Sequence, residues 1–190
     1  LTSSLGMNLQ QVVGDLNRYP YGCVEQVSSK TRGLIALSQV RGITDETTKK
    51  IQIGIDNLIA KQKLSGAFGY WDRNSAVYER FQPYAVDTLQ KTLPFANDKE
   101  KVRTAIKNGL EYLYRTSFRD AETKLYSYGL LAKAGYEVTS RARYSIDQEL
   151  NNDVVQYLMP PKDAATYIDD LVLSYWVAAN LNDTKRMLQI

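Results

Sequence analysis

Apolar residues recur at helical spacing along most of this 190-residue chain, and that periodicity constrains the fold more than any other feature. Within residues 44–63, the side chains of Ile51, Ile55, Leu58 and Ile59 follow one another at intervals that place them on one face of a helix. No segment shows the alternating β-branched pattern that is typical of strands. The sequence therefore predicts an all-α fold.

The same criteria predict seven or eight helices joined by short turns, which implies antiparallel helical hairpins. Pro83 predicts that one of these helices is kinked or split, because proline removes a helical hydrogen bond and crowds the preceding turn. Besides the segment 44–63, the predicted helices cover residues 23–40, 76–91, 98–116, 121–134, 139–158 and 163–181.

The only cysteine of the chain, Cys23, lies three residues before Gln26 in the string YPYGCVEQ at residues 19–26. With the two side chains held in contact, the Cys23 thiolate can attack the Gln26 amide, expel ammonia and leave an internal thioester. Gly22 lets the backbone turn tightly or approach another group closely, and Pro20 fixes the backbone before it. Cys23 and Gln26 are therefore the candidate reactive pair.

This string resembles the Cys-x-Glu-Gln thioester motif of the alpha-2-macroglobulin and complement family, and in its longer form it is most similar to the bacterial alpha-2-macroglobulins. A second string, QKLSGAFGYW at residues 62–71, resembles the glycine-rich aromatic stretch that follows the motif in these proteins. Residues 164–183 resemble a late helix of the same domain more loosely. The residues around the pair that support the resemblance are Tyr19, Pro20, Tyr21, Gly22 and Glu25.

The resemblance implies an α/α toroid, in which inner and outer helices alternate around a centre. Residues 1–190 would then form a single thioester-containing domain of a much larger parent protein. A complete toroid of this kind needs more chain, so we expect a toroid-like array of helical hairpins that is abbreviated or a fragment. The abrupt beginning at Leu1 is in keeping with a processed piece or an excised domain.

The resemblance also implies a function in bacterial defence, as a module of a broad-spectrum endopeptidase inhibitor. A lysine amine of an attacking protease would take the Gln26 acyl group and release Cys23. Such a trap reacts once and is not an enzyme. Neighbouring domains of the parent would cover the thioester until proteolysis elsewhere uncovers it. The parent would reside in the cell envelope, in the periplasm with or without a membrane anchor, or would be secreted.

Three aromatic residues of the second string, Phe68, Tyr70 and Trp71, have two compatible interpretations. In a connector between helices, aromatic side chains fill the core. Beside a thioester, they would shield it from water.

The chain contains no histidine. This excludes a Ser-His-Asp or Cys-His hydrolase built from this chain alone, and one cysteine with carboxylates is a poor zinc site, so we predict no metal and no cofactor. Without a histidine to activate hydroxyls, the thioester should prefer amines. A net charge of +3 without a basic run disfavours nucleic acid as a partner. No apolar run is long enough for direct membrane insertion.

Two other functions remain as alternatives. An α/α-toroid enzyme of the terpenoid cyclase or glycosidase type would need an acidic cluster or a catalytic carboxylate pair, and no acidic residues have convincing spacing for either. A helical interaction module would use Cys23 only as a small, inert apolar side chain. Uptake of methylamine separates the trap from both, because only a thioester would react.

Overall fold

A computed structural model describes residues 22–156 and 164–188 of the chain, which form eight α-helices. Among these residues no strand is present beyond an isolated bridge between Gln62 and Phe68, so the predicted all-α fold is confirmed. The toroid arrangement stays a prediction. The helices are α1 (Val24–Arg41), α2 (Asp45–Lys61), α3 (Gln82–Thr92), α4 (Lys99–Arg115), α5 (Ala121–Lys133), α6 (Thr139–Gln156), α7 (Ala164–Asn180) and α8 (Thr184–Met187).

Short polar side chains fix where several helices begin. Thr44, Asp98 and Asp120 each accept a hydrogen bond from the backbone N–H three residues later, at 3.1, 2.9 and 2.7 Å. These bonds satisfy donors that have no partner inside the helix. At the other end of α5, Gly135 has a φ of 82°, a conformation in which glycine commonly ends helices. The predicted boundaries of α2, α4 and α5 agree with the structure to within two residues.

The segment around Pro83 differs from its prediction as a helix over residues 76–91. Residues 76–78 are not helical, Glu79–Phe81 form a short 3-10 helix, and α3 begins at Gln82 with Pro83 in its first turn. Proline fits there because an N–H in the first turn has no helical partner to lose. Pro83 therefore helps to begin a helix and does not kink one.

Among the described residues, the apolar core consists of three clusters, and the largest lies where α1, α3, α4 and α5 meet. The predicted stripe on α2 is buried, and its Ile51, Ile55 and Leu58 are completely inaccessible to solvent. Representative members are Val24, Phe68, Leu89, Leu113 and Leu130 in the largest cluster, Leu34, Ile55 and Val102 in the second, and Leu125, Ile146 and Val177 in the third.

A largely buried ionic network joins α1, α3 and α5 through Asp87. This carboxylate is paired with Arg32 and accepts hydrogen bonds from Lys91 Nζ at 2.5 Å and the Tyr126 hydroxyl at 2.7 Å. Arg32 Nη2 also donates to the Tyr126 hydroxyl at 2.9 Å. Burial alone would raise the pKa of Asp87, but the hydrogen bonds from Lys91 and Tyr126 and the charge of Arg32 outweigh it and lower this pKa. The network holds α1, whose first turn carries Cys23, against the rest of the domain.

Candidate thioester site

Cys23 and Gln26 form a reciprocal cap at the beginning of α1. The Cys23 sulfur accepts a hydrogen bond from the Gln26 backbone N–H at 3.5 Å, and the Cys23 N–H donates to Gln26 Oε1 at 3.1 Å. The Gln26 carboxamide is therefore folded back over the first helical turn onto Cys23. Cys23 is only 2% exposed, whereas Gln26 is exposed. The structure thus brings together the two residues that the sequence singled out.

Gly22 provides the space for this folded-back side chain. A Cβ atom at Gly22 would lie 3.1 Å from Gln26 Cβ and 3.3 Å from Val27 Cγ2, so a larger residue would make tight contacts with the first turn of α1. Glu25 is exposed in the first turn of α1, where a negative charge interacts favourably with the helix dipole. The other motif residues, Tyr19, Pro20 and Tyr21, lie outside the described residues.

The aromatic segment of residues 62–71 packs directly against the beginning of α1. The Val24 N–H donates to the Tyr70 carbonyl at 2.7 Å, which fixes Tyr70 beside Cys23. The three predicted aromatics have different environments: Phe68 is 1% exposed in the main core, Tyr70 is half-buried, and Trp71 is 60% exposed. Phe68 therefore fills the core as one interpretation predicted, and Tyr70 is the aromatic residue whose backbone bonds to the start of α1.

Two buried glutamines hold this segment in place: Gln62, which opens the second string, and Gln82, which the sequence analysis missed. The Gln82 carboxamide accepts from the Phe68 N–H at 2.7 Å and donates to the Phe68 carbonyl at 3.0 Å. The Gln62 carboxamide donates to the carbonyls of Gly66 and Ala105 at 3.1 and 2.8 Å. Glutamine on a helix surface usually faces solvent, so periodicity gave no signal for either residue.

Lys61, the last residue of α2, is a further charged group at the site that sequence reasoning did not single out. Its ammonium donates a hydrogen bond to the Trp71 carbonyl. Burial lowers the pKa of Lys61, and attraction to the charges of Cys23 and Asp72 partly offsets this effect. A lysine at a helix end usually has a solvated charge, so no sequence pattern indicated the bond of this one to the Trp71 carbonyl.

Tyr70 is a second titratable residue near the start of α1, because its carbonyl accepts from the Val24 N–H. Its hydrogen bond with Cys23, together with burial and the nearby charge of Glu25, raises the pKa of Tyr70 to about 12. The ring packs against Trp71, Tyr78 and Phe81, with centroid distances of 5.1, 4.7 and 5.7 Å. Tyr70 therefore keeps its proton at neutral pH and its position is fixed by neighbouring rings.

Within residues 22–156 and 164–188, no group of three or more cysteine, aspartate or glutamate side chains is arranged to hold a metal ion. In the same part of the chain, no helix combines the length and the apolar character needed to span a membrane.

Comparison of this chain with known proteins leads to the bacterial alpha-2-macroglobulins. The chain is 32% identical to the alpha-2-macroglobulin of Escherichia coli strain K12 in an alignment of length 92 that covers 44% of this chain and 6% of that protein. No protein-family model matches the chain.

Solved structures of bacterial alpha-2-macroglobulins share the fold. The native E. coli protein matches 94% of this chain with a TM-score of 0.67 and 20% identity. The trypsin-activated E. coli protein matches 88% with a TM-score of 0.63 and 22% identity. Salmonella alpha-2-macroglobulin reacted with methylamine matches 94% with a TM-score of 0.65 and 23% identity. This chain spans 12% of each of those chains.

The predicted resemblance to the bacterial alpha-2-macroglobulins is thus confirmed in sequence and in fold. Because the chain spans only a small part of these proteins, their activities do not transfer to it directly.

Proposed function

We propose that Cys23 and Gln26 form an internal thioester and that the chain is the thioester-containing domain of a bacterial alpha-2-macroglobulin-like protease trap. The reciprocal hydrogen bonds between these two residues carry the proposal, because they hold the thiol and the carboxamide together at one helix start. The similarity to E. coli alpha-2-macroglobulin and the methylamine-reacted Salmonella structure support it.

The observed geometry favours formation of the bond. The Cys23 sulfur attacks the Gln26 side-chain carbonyl carbon, a carbon–sulfur bond forms, and the carbon–nitrogen bond breaks as ammonia leaves. Negative charge develops on Gln26 Oε1 during the attack. The Cys23 N–H already donates to this oxygen at 3.1 Å, and the helix start adds a positive potential. The first turn of α1 is therefore prearranged for the charge that the reaction creates.

Acyl transfer then follows when a target amine attacks the same carbonyl carbon. A carbon–nitrogen bond forms, the carbon–sulfur bond breaks, and Gln26 becomes joined to the target by an amide. Cys23 is released as a thiol and cannot recover its acyl group, so the reaction is a single-turnover trap. The targets are proteases attacked through lysine amines. The trypsin-activated state of the E. coli relative supports this choice of partner.

An intact thioester must be protected from water, and the site is only partly covered. Cys23 is buried, and the aromatic segment bonds to the start of α1 through the Tyr70 carbonyl, but Gln26 is exposed. Trp71 and Tyr78 are also exposed next to Tyr70, at 60% and 52%. We propose that neighbouring domains of the parent protein cover this face and exclude water until activation. The parent would act in the cell envelope or outside the cell.

Intact-mass measurement tests the thioester directly. Freshly prepared protein is expected to be lighter than the encoded chain by one ammonia, and Cys23 should resist thiol reagents. Methylamine should then add to Gln26 and expose one thiol per molecule. A protein of full encoded mass with a reactive thiol under every gentle preparation would contradict an intact bond in this chain. Neither a toroid enzyme nor an inert helical module would take up methylamine.

We also expect the thioester to couple to amines much faster than to hydroxyls. Amines attack acyl groups without assistance, whereas alcohols need a general base, and this chain has no histidine to supply one. In competition between a lysine analogue and glycerol at equal concentration, the amide on Gln26 should dominate in the peptide mass spectrum. Efficient ester formation would show that another group, such as a tyrosine or a carboxylate, acts as the base.

A further inference from the structure

We propose that Gln82 is a positioning residue for the thioester reaction, and that it acts on Cys23 through a chain of hydrogen bonds that runs from α3 through the aromatic segment to α1. This inference rests on the proposed thioester function. It assigns a part in the reaction to a residue outside both the Cys-x-Glu-Gln motif and the aromatic segment.

Gln82 begins the chain of hydrogen bonds. Its side chain is completely inaccessible to solvent. The carboxamide accepts from the Phe68 N–H at 2.7 Å, and it donates to the carbonyls of Phe68 and Tyr78 at 3.0 and 3.1 Å. The amide thus uses its oxygen and both of its N–H groups. Because Gln82 is the first residue of α3, these bonds fix where the aromatic segment lies relative to that helix.

Tyr70 carries the chain to α1. It lies two residues after Phe68, and its carbonyl accepts a hydrogen bond from the Val24 N–H at 2.7 Å. Gly69 lies between the two aromatic residues, and a Cβ atom there would be 1.9 Å from the Asp72 carbonyl oxygen. This close approach leaves the segment little room to bend. A shift at Phe68 should therefore also move the Tyr70 carbonyl.

The bond to Tyr70 fixes the peptide unit that joins Cys23 to Val24. Such a unit is planar, so its two polar groups move together. Its N–H donates to the Tyr70 carbonyl, and its carbonyl, that of Cys23, accepts from the Val27 N–H at 3.0 Å. The ψ of Cys23, which is 170°, sets the direction of the Cys23 N–H and side chain relative to this plane. Both groups contact Gln26, at 3.1 Å through the N–H and at 3.5 Å through the sulfur.

α3 is also joined to α1 directly, through the pair of Asp87 and Arg32. The two helices and the aromatic segment are therefore connected pairwise, and Gln82 is the connection between the segment and α3. Without it, the helices can stay packed while the Tyr70 carbonyl shifts. A misplacement of about 1 Å can slow a reaction about a hundredfold, because attack requires contact distance and alignment. Loss of Gln82 should therefore slow closure of the thioester in a protein that is still folded.

Closure can be measured on the whole chain, because ammonia reverses it. Ammonia attacks the thioester carbonyl carbon, a carbon–nitrogen bond forms and the carbon–sulfur bond breaks. This restores the Gln26 carboxamide and the Cys23 thiol. After ammonia is removed, the mass should fall again by one ammonia and the titratable thiol should disappear. Mass spectrometry and thiol titration follow the rate.

Gln82→Met tests the first link. Methionine has a similar length and flexibility but no amide, so the three hydrogen bonds are lost. We expect closure to be roughly ten- to hundredfold slower. Ile146→Ala is the matched control, since Ile146 is completely inaccessible in the third core cluster and makes no part of the chain of bonds. It should also lower the urea midpoint, but closure should stay within about threefold of wild type.

Val24→Pro tests the last link by removing the N–H that donates to Tyr70. Proline is favoured in the first turn of a helix, and the residue before it prefers the extended backbone that Cys23 already has. This variant should also close roughly ten- to hundredfold more slowly. In the double variant with Gln82→Met, closure should be no more than about threefold slower than in the slower single variant. Effects that share one chain of contacts do not multiply, whereas independent effects do.

Several results would overturn the inference while wild type contains the thioester and the proposed function stands. They are a folded Gln82→Met protein that closes at the wild-type rate, an Ile146→Ala protein that slows as much as Gln82→Met, and a double variant whose loss is the product of the two single losses. If Gln82→Met does not fold, Val24→Pro decides, and closure at the wild-type rate overturns the inference.

Wild type that never loses ammonia removes the proposed function together with the inference. If wild type holds the thioester when fresh but does not close it again after ammonia, the fraction of fresh molecules with the thioester replaces the rate in each comparison. Circular dichroism verifies that every variant compared is folded.

Discussion

Cys23→Ser and Gln26→Glu are each expected to abolish both the loss of ammonia and the uptake of methylamine, while the protein stays folded. Serine is a better helix cap than cysteine, so α1 should keep its beginning, but its hydroxyl is a far weaker nucleophile than a thiolate. Glutamate at position 26 can still accept the Cys23 N–H and complete the cap, but its carboxylate resists attack by the thiol. Both substitutions should therefore prevent formation of the thioester and leave the beginning of α1 folded.

Mass spectrometry before and after methylamine measures this effect, with circular dichroism to verify helicity. Gln39→Glu is the matched control, because Gln39 is exposed on the same helix and makes no contact with Cys23. The control should lose ammonia and take up methylamine as fully as wild type. If either site variant still took up methylamine at Gln26 or its replacement, the assignment of the reactive pair would be wrong.

Asp87→Asn is expected to cost the domain roughly 2–4 kcal/mol in the free energy of unfolding. The substitution removes the charge that pairs with Arg32 and Lys91 in a largely buried setting, and it weakens the bond from the Tyr126 hydroxyl. Urea denaturation followed by circular dichroism measures the loss. Asp56→Asn is the control, since Asp56 is exposed on α2, and it should change stability by no more than about 0.5 kcal/mol.

The contribution of Asp87 to stability also predicts that the free energy of unfolding depends on pH. The folded state lowers the pKa of Asp87 below its unfolded value of about 3.9, so its stabilising contribution is fully present above that pH. It is lost as the pH falls through the folded pKa, because the carboxyl becomes protonated in both states. The stability difference between wild type and Asp87→Asn should therefore shrink in acid. A difference that stays constant down to pH values well below about 3 would contradict the assigned network.

Secondary structure was largely predictable here because it follows from local spacing. The apolar stripe on α2 and the capping residues Thr44 and Asp98 are short-range signals, and the structure confirms them. Pro83 shows the limit of this reasoning. A proline inside a periodic segment predicts a break, but whether it kinks a helix or begins one depends on what the preceding residues contact. Here, Gln82 bonds to Phe68 and Tyr78, and α3 begins at that residue.

The sequence predicted the reactive pair of the candidate site, but it did not predict which residues surround that pair. Cys23 and Gln26 are three residues apart, so one helical turn suffices to bring them together, and the motif alone identifies them. Tyr70 follows α1 and α2 in the chain, and Lys61 is the last residue of α2, so both are far from Cys23 in sequence. Their approach depends on how those helices pack and on the bonds that hold the aromatic segment.

The sequence by itself determined the helical class of this protein and the identity of its candidate thioester, because both depend on residues within one or two helical turns of each other. The tertiary structure alone decided that the Tyr70 carbonyl accepts from the Val24 N–H beside Cys23, and that Asp87 ties α1 to α3 and α5. These contacts join residues far apart in the chain. Their formation reflects the packing of buried apolar faces, which a periodic pattern identifies without specifying which faces meet.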